Sequence, residues 1–227
     1  MKRKSFQGIT LPEVLVATTL MSMILTFLVA MFQLSEQYFQ AATMRVDVET
    51  FTQQAIVRIS NEIRESDLHG TWIDSSDPNA NALLLCSPRN ASNVYIYNTF
   101  PAVQTPAWQK WIIYYLIPQP GSSGSELVRQ EGIPPGMSAF WIMAIPYPVP
   151  SNFLTLFKSS SLRQQIIATD IQTFKAKTNR DCGVFGSVVF IQIKSTKAYA
   201  GKTNSFGPGD SGGPCSGGNW IEVLPQN

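Results

Sequence analysis

The sequence predicts an α+β fold, in which a long N-terminal helix, membrane-spanning in its first half, packs on an antiparallel β-sheet domain. Three observations predict it. From Val14 to Phe32 no residue carries a charge, a run long enough to cross a bilayer as a helix. The next segment, QLSEQYFQAATMRVDVETFTQQAIVRISNEIRESDLHG, keeps apolar residues near the helical period, as an amphipathic helix does. Beyond Gly70, short runs rich in aromatic and β-branched residues alternate with turn residues, the pattern of strands that need a helix to cover them.

The N-terminal run has a direction. Lys2, Arg3 and Lys4 precede it and no comparable basic cluster follows, so the N-terminus is expected on the cytoplasmic side and the remainder across the membrane. A cleaved secretory signal would have a shorter apolar core and a small-residue cleavage site, whereas this run continues into a helical pattern. Glu13 stands at the mouth of the run, where an unpaired carboxylate is costly. Locally, Thr10-Leu11-Pro12-Glu13 fits a capping box, with Thr10 as N-cap, Glu13 at the third helical position and Pro12 tolerated in the first turn.

The amphipathic continuation carries Ala42, Val46, Ile56, Ile59 and Ile63, with Arg45/Glu49 and Arg58/Glu62 at four-residue spacing. Its pattern runs to about Leu68; His69 suits the negative end of a helix dipole, and Gly70 is placed to stop the helix. Strands are expected over Ala82–Cys86, Asn93–Phe100, Gln109–Ile117, Glu126–Gln130, Ile171–Thr178, Ser187–Thr196 and Trp220–Leu224. GSSGS at 121–125 reads as the hairpin turn between WQKWIIYYLIP and ELVRQ. Phe153 to Ala168 reads as a second, shorter helix. Trp108, Trp111, Tyr114 and Tyr115 are expected to pack within the sheet rather than form a binding surface.

The first thirty residues carry a resemblance. A short basic leader ending in Gly8, then Ile9-Thr10-Leu11-Pro12-Glu13-Val14-Leu15-Val16-Ala17 and a long apolar stretch, resembles the type IV prepilin signal shared by type IV pilins and type II secretion pseudopilins. The glycine, the glutamate and the helix occur together in register, although Ile9 replaces the commoner phenylalanine and Pro12 a commoner aliphatic residue. The resemblance implies cleavage between Gly8 and Ile9 by a prepilin peptidase, with methylation of the new amino terminus. It also implies that Glu13 neutralises the amino terminus of Ile9 in a neighbouring subunit, a pairing that selects one axial register because each charge is costly alone.

The implied organisation is a leader over 1–8, a membrane and filament-core helix over 9–32, its amphipathic continuation over 33–69, and a globular head over 70–227 with a glycine-rich C-terminal loop. Length and the WIIYYLIP and LVRQEG strands are similar to the larger minor subunits, the J-type pseudopilins and PilW-like minor pilins. The implied role is a non-enzymatic structural subunit of a pilus or secretion pseudopilus, acting in filament initiation or tip assembly. Its partners would be other pilin or pseudopilin subunits, the prepilin peptidase and the inner-membrane assembly platform. The implied location is the cell inner membrane, in a single pass with the head outside the cytoplasm. An adhesin or a DNA-uptake receptor on the same scaffold is the neighbouring alternative.

Composition narrows the remaining classes. The formal net charge is +2, and with three positive charges at Lys2, Arg3 and Lys4 the rest of the chain carries −1. No basic excess supports a nucleic-acid surface. Cys86, Cys182 and Cys215 show no metal-ligand spacing, so no structural metal or other cofactor is expected. In an oxidising compartment a Cys182–Cys215 disulfide would fasten a C-terminal loop like the disulfide-bounded region of many pilins, with pairings to Cys86 left open. Asp74, Asp77, Asn79 and Asn81 lack the glycine and distal glutamate of a calcium loop and read as an Asx-rich turn.

One motif points elsewhere. GDSGGP at 209–214 resembles the nucleophile segment of chymotrypsin-like serine proteases, and would make the chain a membrane-anchored protease. That chemistry needs a histidine base and an orienting acid. The single histidine, His69, lies in DLHG, and only sixteen residues follow Ser211, too few for the strands that wall a specificity pocket. Glycine, serine and proline dominate SFGPGDSGGPCSGGNW, where such a hexamer arises readily.

Overall fold

The computed structural model describes residues 10–66, 70–74, 76–77, 80–100, 103–121, 124–135, 151–178, 188–199, 202–206 and 221–223. The chain divides into two compact units, Met1–Met44 and Arg45–Asn227. Helix α1 (Leu11–Glu65) begins in the first and ends in the second.

In the first unit α1 stands bare. Leu15, Leu20, Met21, Ile24, Leu25 and Phe27 are all exposed, and the most apolar 18-residue window, with mean hydropathy 2.3, is 0% buried. A helix apolar on all sides belongs in an apolar solvent. Its hydroxyls agree with that solvent: Thr18 donates to the Leu15 carbonyl at 3.0 Å, Thr19 to that of Val16 at 2.8 Å and Thr26 to that of Ser22 at 2.8 Å. A hydroxyl bonded within its own helix no longer needs water. Among the described residues this is the one helix long and apolar enough to cross a membrane.

In the second unit the same helix has two faces. Val48, Thr52, Ala55, Ile59 and Ile63 are buried. Val46 and Val57, about three turns apart, are exposed on the opposite side. The buried stripe meets a sheet whose strands are β1 (Thr71–Asp74), β2 (Ala82–Ser87), β5 (Lys110–Pro118), β6 (Ser125–Gly132), β7 (Gln164–Thr178), β8 (Val189–Tyr199), β9 (Lys202–Phe206) and β10 (Ile221–Val223). The spatial order is β1-β2-β5-β6-β7-β8-β10, with β9 also on β8 and every pairing antiparallel. A separate hairpin joins β3 (Tyr97–Phe100) to β4 (Val103–Pro106). The fold is α+β, with a long N-terminal helix on an antiparallel sheet.

Period-two alternation sorts the core into two layers. Leu83, Leu85, Ile112, Tyr114, Leu127, Phe174 and Ile191 pack with Ala55, Ile59 and Ile63 of α1. Their neighbours Leu84, Trp111, Ile113, Tyr115 and Val128 point the other way and pack with Phe153 and Phe157 of the short helix α2 (Phe153–Ser159). Helices on both faces explain why β2 is buried at every residue and why ALLLC and WIIYYL read as unbroken apolar runs. Burying an isoleucine such as Ile59 or Ile63 contributes about 1.5–3 kcal/mol.

Several expected boundaries are corrected. The helix expected over Phe153–Ala168 stops at Ser159, and its second half is the start of β7. Ser160 turns to an extended conformation and caps its own helix, donating its hydroxyl to the Phe157 carbonyl at 2.7 Å. The chain beyond it pairs with β6, Gln164 opposite Gln130. β7 is bulged where it passes Ser125–Val128 of β6, and Asp170 there adopts φ 58. The strand expected from Asn93 begins only at Tyr97, because Asn90 Oδ1 accepts the N–H of Ser92 at 3.0 Å and of Val94 at 2.9 Å, an Asx turn. β1, β4 and β9 were not expected.

Two glycines matter here. Gly121, at φ 76, makes the β5–β6 turn. A Cβ on Gly70 would lie 3.0 Å from Cys86 Cβ and 3.1 Å from its Sγ, so the chain leaving α1 passes β2 too closely for a side chain.

Candidate functional site

At the start of α1, Glu13 has a local partner. Its Oε2 accepts the backbone N–H of Thr10 at 2.8 Å and the Thr10 hydroxyl at 2.8 Å. The Thr10 carbonyl in turn accepts the N–H of Glu13 at 3.1 Å and of Val14 at 3.3 Å. This is the carboxylate half of a capping box, with the threonine hydroxyl turned to the carboxylate rather than to the backbone. The charge at the mouth of the apolar run is therefore held by hydrogen bonds within one chain.

Gly8 and Ile9 lie outside the described residues, as do Cys182, Cys215, His69, Asn79 and the whole of GDSGGP. Cys86 is buried in β2. Asp74 Oδ1 accepts the N–H of Ser76 at 2.9 Å, an Asx turn as expected. Asn81 is structural, donating its side-chain N–H to the Ala176 carbonyl at 2.7 Å and its backbone N–H to that of Phe174 at 3.0 Å. Among the described residues no three His, Cys, Asp or Glu side chains gather as metal ligands. Trp111, Tyr114 and Tyr115 lie in the core, with Trp108 packed against it; Trp72 meets Trp111 edge-on at 5.2 Å.

A second constellation was not anticipated. Along the last turns of α1 in the second unit, a polar cleft of about 470 Å³ opens onto β5, β6 and the loop after β2. Arg58, Arg89, Lys110 and Arg129 share it with Glu62, Glu65 and Glu131. Glu62 is the centre: Oε1 accepts from Arg129 Nε at 2.9 Å and Oε2 from the Tyr114 hydroxyl at 2.5 Å. Arg129 continues to Glu131 at 2.6 Å, and Lys110 reaches the same carboxylate oxygen at 3.1 Å. Arg89 forks onto both oxygens of Glu65, at 2.7 and 2.6 Å, the planar bidentate geometry that favours arginine. Arg58 donates to Gln165 Oε1 at 2.9 Å.

Burial sets the electrostatics of this cluster. Desolvation, then the Glu62 charge, pushes the Tyr114 phenol well above its ordinary pKa, so it stays a neutral donor. Desolvation opposes the charge on Arg129 but is outweighed by Glu62, Tyr114 and Glu131, and its pKa is raised. Desolvation likewise opposes the Glu131 carboxylate, yet Arg129 and Lys110 hold its pKa below the ordinary value. Arg129 and Glu131 thus both keep their charges at neutral pH.

The signal for this cluster was an arginine inside an apolar strand, Leu127-Val128-Arg129, which needs an acid on the facing element. The spacing of Arg58 and Glu62 suggested a local pair. Those groups stand 3.7 Å apart, while the short bonds of Glu62 go to Arg129 and Tyr114.

No family model, curated protein or solved structure matches this chain.

Proposed function

We propose that this chain is a minor pilin or pseudopilin, a membrane-anchored structural subunit of a type IV pilus or type II secretion pseudopilus that acts in filament initiation or tip assembly. The observation that carries the reading is one helix with two solvents. α1 begins bare and apolar behind the Gly8-Ile9-Glu13 pattern, and the same helix ends as the core of a sheet domain. That combination is compatible with a pilin-like architecture. A candidate membrane span near the N-terminus agrees with single-pass anchoring.

In this reading Gly8 and Ile9 flank the processing site and Glu13 sets the register between subunits. Because Thr10 already holds Glu13 in the single chain, assembly exchanges the Thr10 donors for the amino terminus of a neighbouring Ile9. The exchange starts from a hydrogen-bonded carboxylate, which keeps the cost of waiting in the membrane low.

Co-expression with a prepilin peptidase tests this directly. A mature chain beginning at Ile9 is expected; an uncut chain, or one cut elsewhere, overturns the assignment. Glu13→Ala is expected to leave cleavage intact and reduce incorporation into filaments, and unchanged incorporation removes the register role.

A further inference from the structure

We infer that the polar cleft beside the end of α1 is a binding site for a carboxylate group. It belongs wholly to the second unit and does not depend on the filament reading. The charge balance supports it first: among the described residues four cations, Arg58, Arg89, Lys110 and Arg129, line the cleft with three carboxylates. One further negative charge would balance it.

Hydrogen-bond capacity points the same way. Both oxygens of Glu65 receive Arg89, both oxygens of Glu62 are engaged, and one oxygen of Glu131 takes both Arg129 and Lys110. Guanidinium and ammonium groups bring more N–H donors than carboxylates have oxygens. The surplus is of donors, and a donor surplus in a cavity selects an acceptor-rich anion.

The cleft also has room. Its volume of about 470 Å³ falls within the range of small-molecule pockets, roughly 300–1,000 Å³. A purely structural contact here could be filled by apolar side chains at little or no cost in stability. The planar guanidinium forks that line the cleft match a planar carboxylate with two parallel N–H···O bonds, which favours a carboxylate as the bound anion. Two sources share this chemistry, a free dicarboxylate and an acidic side chain of a partner protein.

The test titrates the full chain in detergent micelles, by amide chemical shifts, with succinate, with its uncharged diamide, and with a terminally blocked glutamate-rich peptide. Saturable shifts at Lys110, Arg129 and Arg89 are expected with succinate or the peptide and not with the diamide. Succinate alone assigns a free ligand, and the peptide, if it binds at least tenfold more tightly, assigns a partner side chain. Lys110→Gln keeps the Glu62–Arg129–Glu131 bonds and is expected to weaken binding at least tenfold. Lys158→Gln removes one charge over the Tyr115 ring, on the other side of the sheet, and is expected to change binding less than twofold. No saturable shift with either carboxylate, equal shifts with the diamide, or equal weakening by both variants overturns the proposal.

Discussion

The two halves of α1 share one backbone geometry and differ in what their side chains meet. Between Leu11 and Met44 large apolar residues are exposed on every side, and the hydroxyls among them bond to their own helix. Between Arg45 and Glu65 a single stripe, Ala55, Ile59 and Ile63, is fully buried while Val46 and Val57 on the opposite face are exposed. Helical hydrogen bonding is common to both, so the difference is carried by side chains alone. The first half is suited to hydrocarbon, and the second supplies one side of a packed core.

The largest effect should come from reversing the solvent of the first half. Leu20→Arg with Ile24→Arg places two cations in the apolar run, each costing about 2.5–3.5 kcal/mol at the centre of a membrane helix. The carbonate-resistant membrane fraction is expected to fall several-fold. The matching change in the second half, Val57→Arg, lies on an exposed face and is expected to leave that fraction unchanged. Equal responses from the two would erase the distinction.

A smaller effect separates the two faces within the second half. Ile59→Ala opens a cavity against Tyr114 and its neighbours and is expected to cost about 2–5 kcal/mol. Val57→Ala, two residues away but exposed, should stay within about 0.5 kcal/mol. Urea denaturation followed by tryptophan fluorescence reads both. If the two variants lose the same stability, α1 is not held to the sheet by this stripe.

Much of this contrast was legible in the sequence, because it depends on local pattern. The uncharged run, the helical period after it, and the apolar strands ALLLC and WIIYYL each declare their environment within a few residues. What stayed hidden depends on pairing across the chain. Gln164 to Ala168 continued an apolar helical spacing from Phe153, and only hydrogen bonding to β6 makes that stretch a strand. Glu62 has Arg58 at helical spacing, yet its short bonds go to residues 52 and 67 positions away. The cleft was missed for that reason: its charges come from a helix, two strands and a loop, and no one segment shows them together. Glu13 is the converse case, since its bonds to Thr10 are local and the capping pattern announced them.

The smallest effect concerns pH, and it divides the halves once more. Glu131 has its pKa held below the ordinary value of 4.5, so its contribution to stability is fully present above that value and is lost as pH falls through the lowered one. Tyr114 has its pKa raised from 10.0, so its contribution is present below about 10 and is lost as pH rises further. The sheet domain should therefore show a flat thermal midpoint between about pH 5 and 9, declining on both sides. Glu131→Gln should lower the neutral plateau and flatten the acid limb, and Tyr114→Phe should flatten the alkaline one. The apolar run of α1 has no titrating side chain between Val14 and Phe32, so membrane association should hold at about pH 4 while the head loosens. Near-UV circular dichroism for the head and vesicle co-sedimentation for the chain measure the two separately. Were both to decline together, the acid-sensitive element would lie in the helix start at Glu13 rather than in the cleft.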